Sequence, residues 1–296
     1  MTMNISDDKS RIIADIRSVI QDVRDLPTLP TLALEVRRLV DDPSSNISDL
    51  VERVQQDIAL SSRILRIANS AYYGIPRKVD NLKMAIVILG VREVVNLVTS
   101  VSVFKMFKEQ NLAESMDIGE FWVHCATCAE LTMGLYKVLK TNLPSSAYIA
   151  GLLHDIGKLV LSQHFQEYHD ACIKYAAENK LRTVDAEIKL LGIDHGHIGS
   201  WLTQRWNIPE DITEAIAQHH IRPPDSPKTG LPSIIDWADR LYYLMKNRDR
   251  DETIKVLKAA PQWKAWYTDA QMPTSRVVDI LFESWTKSME LVRILE

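Results

Sequence analysis

The sequence predicts an all-α protein. Apolar residues recur at spacings of three and four along most of the 296 residues. Sustained alternation of apolar and polar residues, the pattern of a half-buried strand, is weak throughout. Hydrophobic residues make up 46% of the chain, so it can bury a substantial core in one large domain or two modest ones.

The N-terminal part of the chain predicts six helices, separated by breakers and capping residues. Asn46 and Asp49 suit a capped helix start, Asp57 suits the start of the next helix, and Asp80 suits the start of the fifth. Leu26-Pro27-Thr28-Leu29-Pro30 separates the first helix from the second. The predicted helices cover residues 9–24, 32–40, 50–56, 58–69, 82–89 and 91–107.

Residues 109–118 form a polar connection, which is the expected boundary between two lobes. Beyond it, Pro144-Ser145-Ser146 suits the start of a helix that carries the doublet His154-Asp155 in its body. The other predicted helices cover residues 120–139, 165–179, 184–191, 197–206, 210–220 and 233–245, followed by a helical tail from residue 252.

Composition argues against several classes of protein. The net charge of −4 gives no whole-chain footprint for nucleic acid or an anionic membrane, and no apolar run reaches the roughly 18 residues of a membrane span. The polar start lacks the apolar region of a signal peptide, and three cysteines are too few for a disulfide framework. We therefore expect a cytoplasmic protein with reduced thiols, in which Cys125 and Cys128 are buried structural residues of a helix.

The doublet His154-Asp155 lies in an apolar stretch that is expected to be buried. A buried carboxylate without a partner costs several kcal/mol, so Asp155 needs a donor, a cation or a metal. Gly151 precedes the doublet by three and four residues and would let another backbone, or an ion with its ligands, come close. Adjacent helical residues diverge by about 100°, so the doublet can offer two differently aimed ligands.

The stretch Gly151-Leu152-Leu153-His154-Asp155-Ile156-Gly157-Lys158 resembles the signature of the HD superfamily of metal-dependent phosphohydrolases. Three upstream segments, Leu26–Pro30, Asp57–Gly74 and Ala85–Gly90, resemble the HDOD domain, a relative of that superfamily. Later motifs continue the match in the same order, namely Asp194-His195, Gly199, Trp206-Asn207-Ile208-Pro209 and His219-His220.

The resemblance implies an HD-like helical fold with an N-terminal helical lobe. An HDOD domain at residues 22–245 would comprise the lobe at 22–113 and the HD-like part at 114–245, and residues 246–296 would add a C-terminal helical extension. The resemblance also implies a bacterial signalling or regulatory role, and HDOD domains have often lost the activity of the HD enzymes.

HD enzymes take metal ligands from a histidine on an early helix, from the doublet and from a later aspartate, and binuclear members add histidines. The matching positions are His124, His154, Asp155, His195, His219, His220 and Asp239. Mixed imidazole and carboxylate ligands suit Fe, Mn, Zn or Ni better than Ca or Mg, so one or two such ions are expected.

Each of these residues also has a structural explanation. A histidine on an apolar helix face can simply bind a backbone carbonyl, and Asp239 has a rival in Asp236, which could pair with Arg240 four residues later. Lys158 is the candidate catalytic residue, because it follows His154 by four residues and could meet a substrate phosphate, although it could equally be solvated.

One departure from the superfamily concerns the substrate loop. Binuclear phosphodiesterases of the HD-GYP type follow their histidine pair with an acidic residue and a Gly-Tyr-Pro motif, whereas Ile221-Arg222-Pro223 follows the pair here. This argues against cleavage of cyclic di-GMP. It favours a non-catalytic module that acts on signalling proteins in trans, with a vestigial or metal-occupied site; the alternative is a metal-dependent phosphohydrolase of a nucleotide or phosphate ester.

A third hypothesis is nucleic-acid binding by the N-terminal lobe. Its scattered positive charges fit a solvated helix face better, so nucleic acid is disfavoured as a partner. These charges are Arg63, Arg66, Arg77, Lys78, Lys83 and Arg92.

Overall fold

The structure, a computed structural model, describes most of the chain. The described residues are 9–22, 31–41, 46–76, 78–108, 116–142, 144, 146–221, 230–261, 263 and 272–295. Within them the chain is helical and contains no strand, which confirms the predicted all-α class. The motif Leu26–Pro30, the connection at 109–115, Arg77, Ser145 and residues 222–229 lie outside this part.

The described residues form the following helices. They are α1 (Lys9–Asp22), α2 (Thr31–Asp41), α3 (Ile47–Gln55), α4 (Ile58–Ala68), α5 (Leu82–Leu89), α6 (Val91–Lys108), α7 (Ile118–Leu139), α8 (Ala147–Leu153), α9 (Ile156–His164), α10 (Gln166–Asn179), α11 (Thr183–Leu190), α12 (His195–Arg205), α13 (Glu210–Gln218), α14 (Leu231–Met245), α15 (Arg250–Ala259) and α16 (Thr274–Leu295).

The chain forms two compact units. Unit 1 comprises residues 1–26 and 110–282, and unit 2 comprises residues 27–109 and 283–296. The boundary near residue 110 falls in the polar connection. The N-terminal helix belongs to unit 1, and the segment after residue 245 is shared between both units. The expected domain bounds, 22–245 and 246–296, stay a prediction.

Unit 2 begins its helices at side-chain caps. The Asn46 side chain accepts hydrogen bonds from the backbone of Ser48 and Asp49, while Asp49 accepts one from the Asn46 backbone, so the predicted start is a full capping box. Asp57 caps α4, as predicted. The prediction for α5 was wrong by one residue, because Asn81 rather than Asp80 accepts the hydrogen bond from Met84.

Unit 1 is built around α7, whose residues are mostly buried. This helix packs against α8 and α14, while α12 packs against α9 and α13. The centre of unit 1 therefore lies where α7, the junction of α8 and α9, α12, α13 and α14 approach one another.

The doublet does not lie in the body of a helix, which corrects the prediction. Helix α8 ends at Leu153 and α9 begins at Ile156, so His154 and Asp155 form the junction. Ser146 stands at the start of α8 but makes no side-chain capping bond. The φ of −96° and ψ of 7° at Asp155 turn the chain there, which redirects its carboxylate relative to that of a continuous helix.

Two glycines bring the backbones of neighbouring helices close to this junction. A Cβ atom on Gly151 would lie 3.0 Å from the Cα of Ala129 in α7. A Cβ on Gly157 would lie 2.0 Å from the carbonyl oxygen of His195 and 2.8 Å from the amide nitrogen of Gly199, both in α12. Gly157 thus holds α9 directly against α12, at a distance that any side chain would prevent.

No single helix among the described residues is both long and apolar enough to cross a bilayer. Leu82–Leu89 and Val91–Met106 reach that length and hydropathy only together, and this pair is bent by 111°.

Candidate metal centre

The seven predicted ligands come together at the centre of unit 1. Helix α7 supplies His124, the α8–α9 junction supplies His154 and Asp155, and the start of α12 supplies His195. The end of α13 supplies His219 and the residue after it, His220, and α14 supplies Asp239. Their side chains form two groups with metal-ligand spacing. Their binding of an ion stays a prediction.

The first ligand cluster consists of His124, Cys128, His154 and Asp239, whose ligand atoms lie within 4.8 Å of one another. The Nε2 atoms of His124 and His154 are 3.2 Å apart. The Oδ1 atom of Asp239 lies 3.5 Å from Nε2 of His124 and 4.0 Å from Nε2 of His154. Such separations between lone-pair atoms match those around one ion with bonds of about 2.0–2.2 Å.

The second ligand cluster consists of Asp155, His195, His219 and His220, also within 4.8 Å of one another. The Nε2 atom of His195 lies 3.1 Å from Nε2 of His220 and 2.9 Å from Oδ1 of Asp155. The Nε2 atom of His219 lies 3.9 Å from the same carboxylate oxygen. Three imidazoles and one carboxylate thus converge from α12, α13 and the α8–α9 junction.

Asp155 faces both clusters with different oxygens. Its Oδ2 atom lies 3.0 Å from Nε2 of His124 and 3.5 Å from Nε2 of His154, in the first cluster. Its Oδ1 atom faces His195 and His219, in the second. A carboxylate placed in this way can bridge two ions.

Hydrogen bonds at Nδ1 fix the orientation of three histidines. The Nδ1 atom of His154 lies 2.8 Å from the carbonyl oxygen of Gly151, and Nδ1 of His219 lies 2.7 Å from that of Ile216. A carbonyl only accepts, so each ring donates from Nδ1 and presents the lone pair of Nε2. For His195, Nδ1 lies 2.7 Å from Oε2 of Glu187, the carboxylate–histidine pairing common behind metal ligands.

Burial sets the protonation of the histidines. It lowers the pKa of His154 well below the usual range and that of His219 to about 4, and the pKa of His220 is also lowered by burial and by His219. Burial alone would lower the pKa of His195 too, but the carboxylates of Glu187 and Asp155 raise it to about 9. Neutral imidazoles are the form that binds metal, so His154, His219 and His220 suit an ion as they stand, whereas His195 would release a proton when it binds one.

The pKa values of the two carboxylates, Asp155 and Asp239, are shifted in opposite directions. Burial would raise the pKa of Asp155, but His154, Lys158 and His195 hold it well below its usual range. Burial raises the pKa of Asp239, which a cation beside it would counteract. The Nζ atom of Lys158 lies 2.6 Å from Oδ2 of Asp155, so the candidate catalytic lysine contacts the centre directly instead of being solvated alone.

The donor atoms fit a bound metal. Nε2 of His219 and Oδ1 of Asp239 are buried and have no hydrogen-bond partner within the described part of the chain. Buried polar atoms are normally satisfied, because leaving one unpaired costs about 1–3 kcal/mol. A divalent ion in each cluster would satisfy both atoms.

The structure also resolves the alternatives for the remaining residues. Asp236 accepts a hydrogen bond of 2.9 Å from Nε of Arg240 and belongs to neither cluster, whereas Asp239 belongs to the first. His197, whose side chain is 42% exposed, binds Asp194 instead of the centre.

Sequence reasoning missed two residues of the site. Cys128 belongs to the first cluster, with Sγ 3.7 Å from Nδ1 of His124, and the available signal was its position four residues after that histidine. Glu187 is 1% exposed and binds both the backbone N–H and Nδ1 of His195. No sequence pattern links Glu187 to His195, because they are joined only through the turn after α11.

A cavity of about 440 Å³ opens beside the clusters. His195, His220, Asp239 and Lys158 line it. Its wall also includes two arginines, a tyrosine and a threonine, namely Arg182, Arg240, Tyr243 and Thr183. The centre is therefore accessible to a ligand of moderate size on a side that carries positive charge.

Solved structures establish the fold by comparison. An HDOD domain protein of unknown function from Geobacter sulfurreducens is 22% identical and superposes with a TM-score of 0.78, covering 98% of this chain and 99% of that one. A protein from Shewanella amazonensis SB2B, described as a candidate phosphohydrolase, is 24% identical with a TM-score of 0.75, covering 96% of this chain and 98% of that one.

Sequence comparison establishes the family. An uncharacterized protein from Treponema pallidum (strain Nichols) is 28% identical over 218 residues, which are 73% of this chain and 42% of the relative, so the match spans less than half of that protein. The model of the HDOD domain matches residues 26–222, about two thirds of the chain. The match includes α2 to α6 of unit 2 and all the predicted ligands except Asp239. The chain therefore belongs to the HDOD domain family.

Proposed function

We propose that this HDOD protein is a metal-dependent phosphohydrolase that acts on a phosphate ester at a two-metal centre. The observation that carries the proposal is the bridging position of Asp155, with one oxygen toward each ligand cluster. A vestigial site would satisfy its buried groups with hydrogen bonds, whereas here Nε2 of His219 and Oδ1 of Asp239 have no partner among the described residues. The sequence alone favoured a non-catalytic module, and the assembled ligand set moves the balance toward catalysis.

The proposed chemistry divides between the ions and the side chains. The two clusters would hold the metal ions, which would supply an activated water molecule and positive charge for the phosphate oxygens. Lys158 neutralises Asp155 and lines the cavity, so its ammonium group can also contact a phosphate oxygen. Glu187 holds His195 in the orientation that presents Nε2 to the second cluster.

The ligand types restrict the ions. The clusters combine imidazole with carboxylate, and the first one includes a thiol. We infer Fe, Mn, Zn or Ni as the occupants, since Ca and Mg prefer oxygen ligands throughout.

The test compares wild type with Asp155→Asn, using protein purified without a metal-affinity column. We expect wild type to contain two transition-metal ions per chain and to hydrolyse p-nitrophenyl phosphate. The variant should lose the bound metal and the activity. Asp236→Asn is the matched control, because Asp236 is equally buried but lies outside the clusters. Metal-free wild-type protein, or loaded protein that is inert toward a broad panel of phosphate esters, would refute the proposal.

A second candidate is a signalling module that acts through protein partners, with metal as a structural component. Unit 2 favours it: all the clustered ligands are in unit 1, and unit 2 exposes apolar side chains such as Ile58 at 84% and Val87 at 64%. A metal-loaded protein that hydrolyses nothing but binds another protein through these residues would support this candidate over the first.

A further inference from the structure

Two arginines share the cavity beside the metal centre. Arg182 stands at the start of α11 and Arg240 lies in α14, and both line the cavity together with Lys158. Their side chains are 51% and 36% exposed, so a ligand in the cavity can reach them.

Each guanidinium is held in place by its own carboxylate. Arg182 donates from Nε and Nη2 to the two oxygens of Asp185, both at 3.0 Å, and Arg240 donates from Nε to Asp236 at 2.9 Å. A guanidinium has five N–H donors, so it can keep such a partner and still bind a second anion. The contacts also reduce the side-chain freedom that binding would otherwise remove.

The two guanidinium groups line the same cavity, so one ligand can contact both of them. Each group keeps N–H donors that its carboxylate partner does not use, so this part of the wall suits a negatively charged ligand. The scissile phosphate would not occupy this position, because it would lie at the ligand clusters and Lys158.

We propose that the cavity selects phosphate esters that carry a second anionic group, and that Arg182 and Arg240 bind this group. The inference rests on the proposed function, since it assigns the scissile phosphate to the two clusters. A phosphate and a carboxylate both present paired oxygens to a guanidinium, so either can serve as the second anion.

The test uses matched substrates with and without the second anion. Hydrolysis is measured for adenosine 5′-monophosphate against adenosine 3′,5′-bisphosphate, and for phenyl phosphate against 4-carboxyphenyl phosphate. These pairs separate a second phosphate from a carboxylate. We expect wild type to prefer the second member of at least one pair. Arg182→Gln and Arg240→Gln should each raise the KM of this preferred substrate about 10- to 100-fold, the effect of losing charge-assisted hydrogen bonds. The KM of the first member is expected to stay within about twofold.

Two control variants separate binding from structure. Arg293→Gln removes a matched bidentate pair, with Glu290, that lies in unit 2 and should leave both substrates unaffected. Asp185→Asn weakens the contact that holds Arg182 but keeps its charge, so it should raise the KM of the second member less than Arg182→Gln does. Equal effects of the arginine variants on both members of each pair, or no preference in wild type, would overturn the inference.

Failure of the proposed function can be distinguished from failure of this inference. If the metal-loaded protein hydrolyses none of the probes, calorimetric binding of adenosine 3′,5′-bisphosphate and adenosine 5′-monophosphate to the same variants still tests the arginines. Tighter binding of the bisphosphate that both arginine variants abolish would support the second-anion site without catalysis. Equal binding of the two nucleotides would refute it.

Discussion

At the level of single residues, Asp155 connects two ligand clusters that come from different helices. The sequence predicted that this buried carboxylate needs a hydrogen-bond donor, a cation or a metal, and that the doublet aims its ligands in different directions. Both conclusions follow from burial and local geometry alone. The sequence could not show which oxygen faces which histidine. That assignment depends on how α7, α12 and α13 pack around the α8–α9 junction.

Glu187 illustrates a residue whose role depends entirely on packing. Its carboxylate is buried beside His195 and accepts two hydrogen bonds from that residue. In the sequence it is one of several acidic residues of a short amphipathic helix, and nothing distinguishes it from those that face solvent. Only the position of α11 beside the start of α12 gives it a function.

We predict that Glu187→Gln weakens metal binding at the second cluster by about 10- to 100-fold, the usual effect of losing a partner behind a histidine ligand. The first cluster does not contain His195 and should keep its affinity. A chelator titration followed by mass spectrometry would therefore remove one ion from the variant before the other. Glu130→Gln, which changes another buried glutamate, should behave as wild type; equal loss of both ions from Glu187→Gln would contradict the assignment.

At the level of elements, capping chemistry located several helix starts from the sequence. Asn46 and Asp57 begin α3 and α4 as predicted, because an Asn or Asp followed by an apolar-periodic stretch is a local signal. Asp80 and Asn81 are adjacent and have equal capping ability, so the sequence could not decide between them. The sequence contains no local signal for the break between α8 and α9, because neither His154 nor Asp155 is a proline or a glycine.

Helices α9 and α12 meet at their backbones, and we predict that Gly157→Ala disrupts this contact. The new methyl group would lie 2.0 Å from the carbonyl oxygen of His195, so the helices must separate. The free energy of unfolding should fall by about 1–3 kcal/mol, as for other overpacked cores, and metal content should fall with it because the contact includes a ligand. Urea unfolding and metal analysis measure the two effects.

The control for this prediction is Gly119→Ala, in the first turn of α7. Its Cβ would meet only the Asp117 side chain, at 3.2 Å, and alanine is the better helix former, so stability should be unchanged or slightly higher. If Gly157→Ala were equally neutral, the close approach of α9 and α12 would not be a feature of the protein in solution.

At the level of the whole molecule, the predicted fold class and family are confirmed. The fold class and the family could be predicted because helical periodicity and several motifs in a fixed order can be read from the sequence directly. The division into units could not be predicted as well. The N-terminal helix is grouped with residues 110–282, and residues 283–296 are grouped with residues 27–109. Apolar periodicity alone does not reveal which distant segment a helix packs against.

Metal binding should also stabilise the fold as a whole. The proposed ligands come from five parts of unit 1 that unfolding would separate, so ions bind the native state preferentially. A ligand present at about 100 times its Kd adds about 2.7 kcal/mol to the free energy of unfolding. Chelation should therefore lower the Tm of wild type measured by calorimetry, whereas the Tm of Asp155→Asn should not respond to chelator. A wild-type Tm independent of metal would argue against binding at these clusters.

The contact between Lys158 and Asp155 has a consequence for how the protein is made. The ammonium group lies 2.6 Å from the carboxylate and supplies a counter-charge from within the same chain, three residues away. A newly synthesised molecule can thus pair this carboxylate as soon as α9 forms, without waiting for a metal ion. Folding and metal binding can then be separate events, so the supply of transition metal could govern the proposed activity without deciding whether the polypeptide folds.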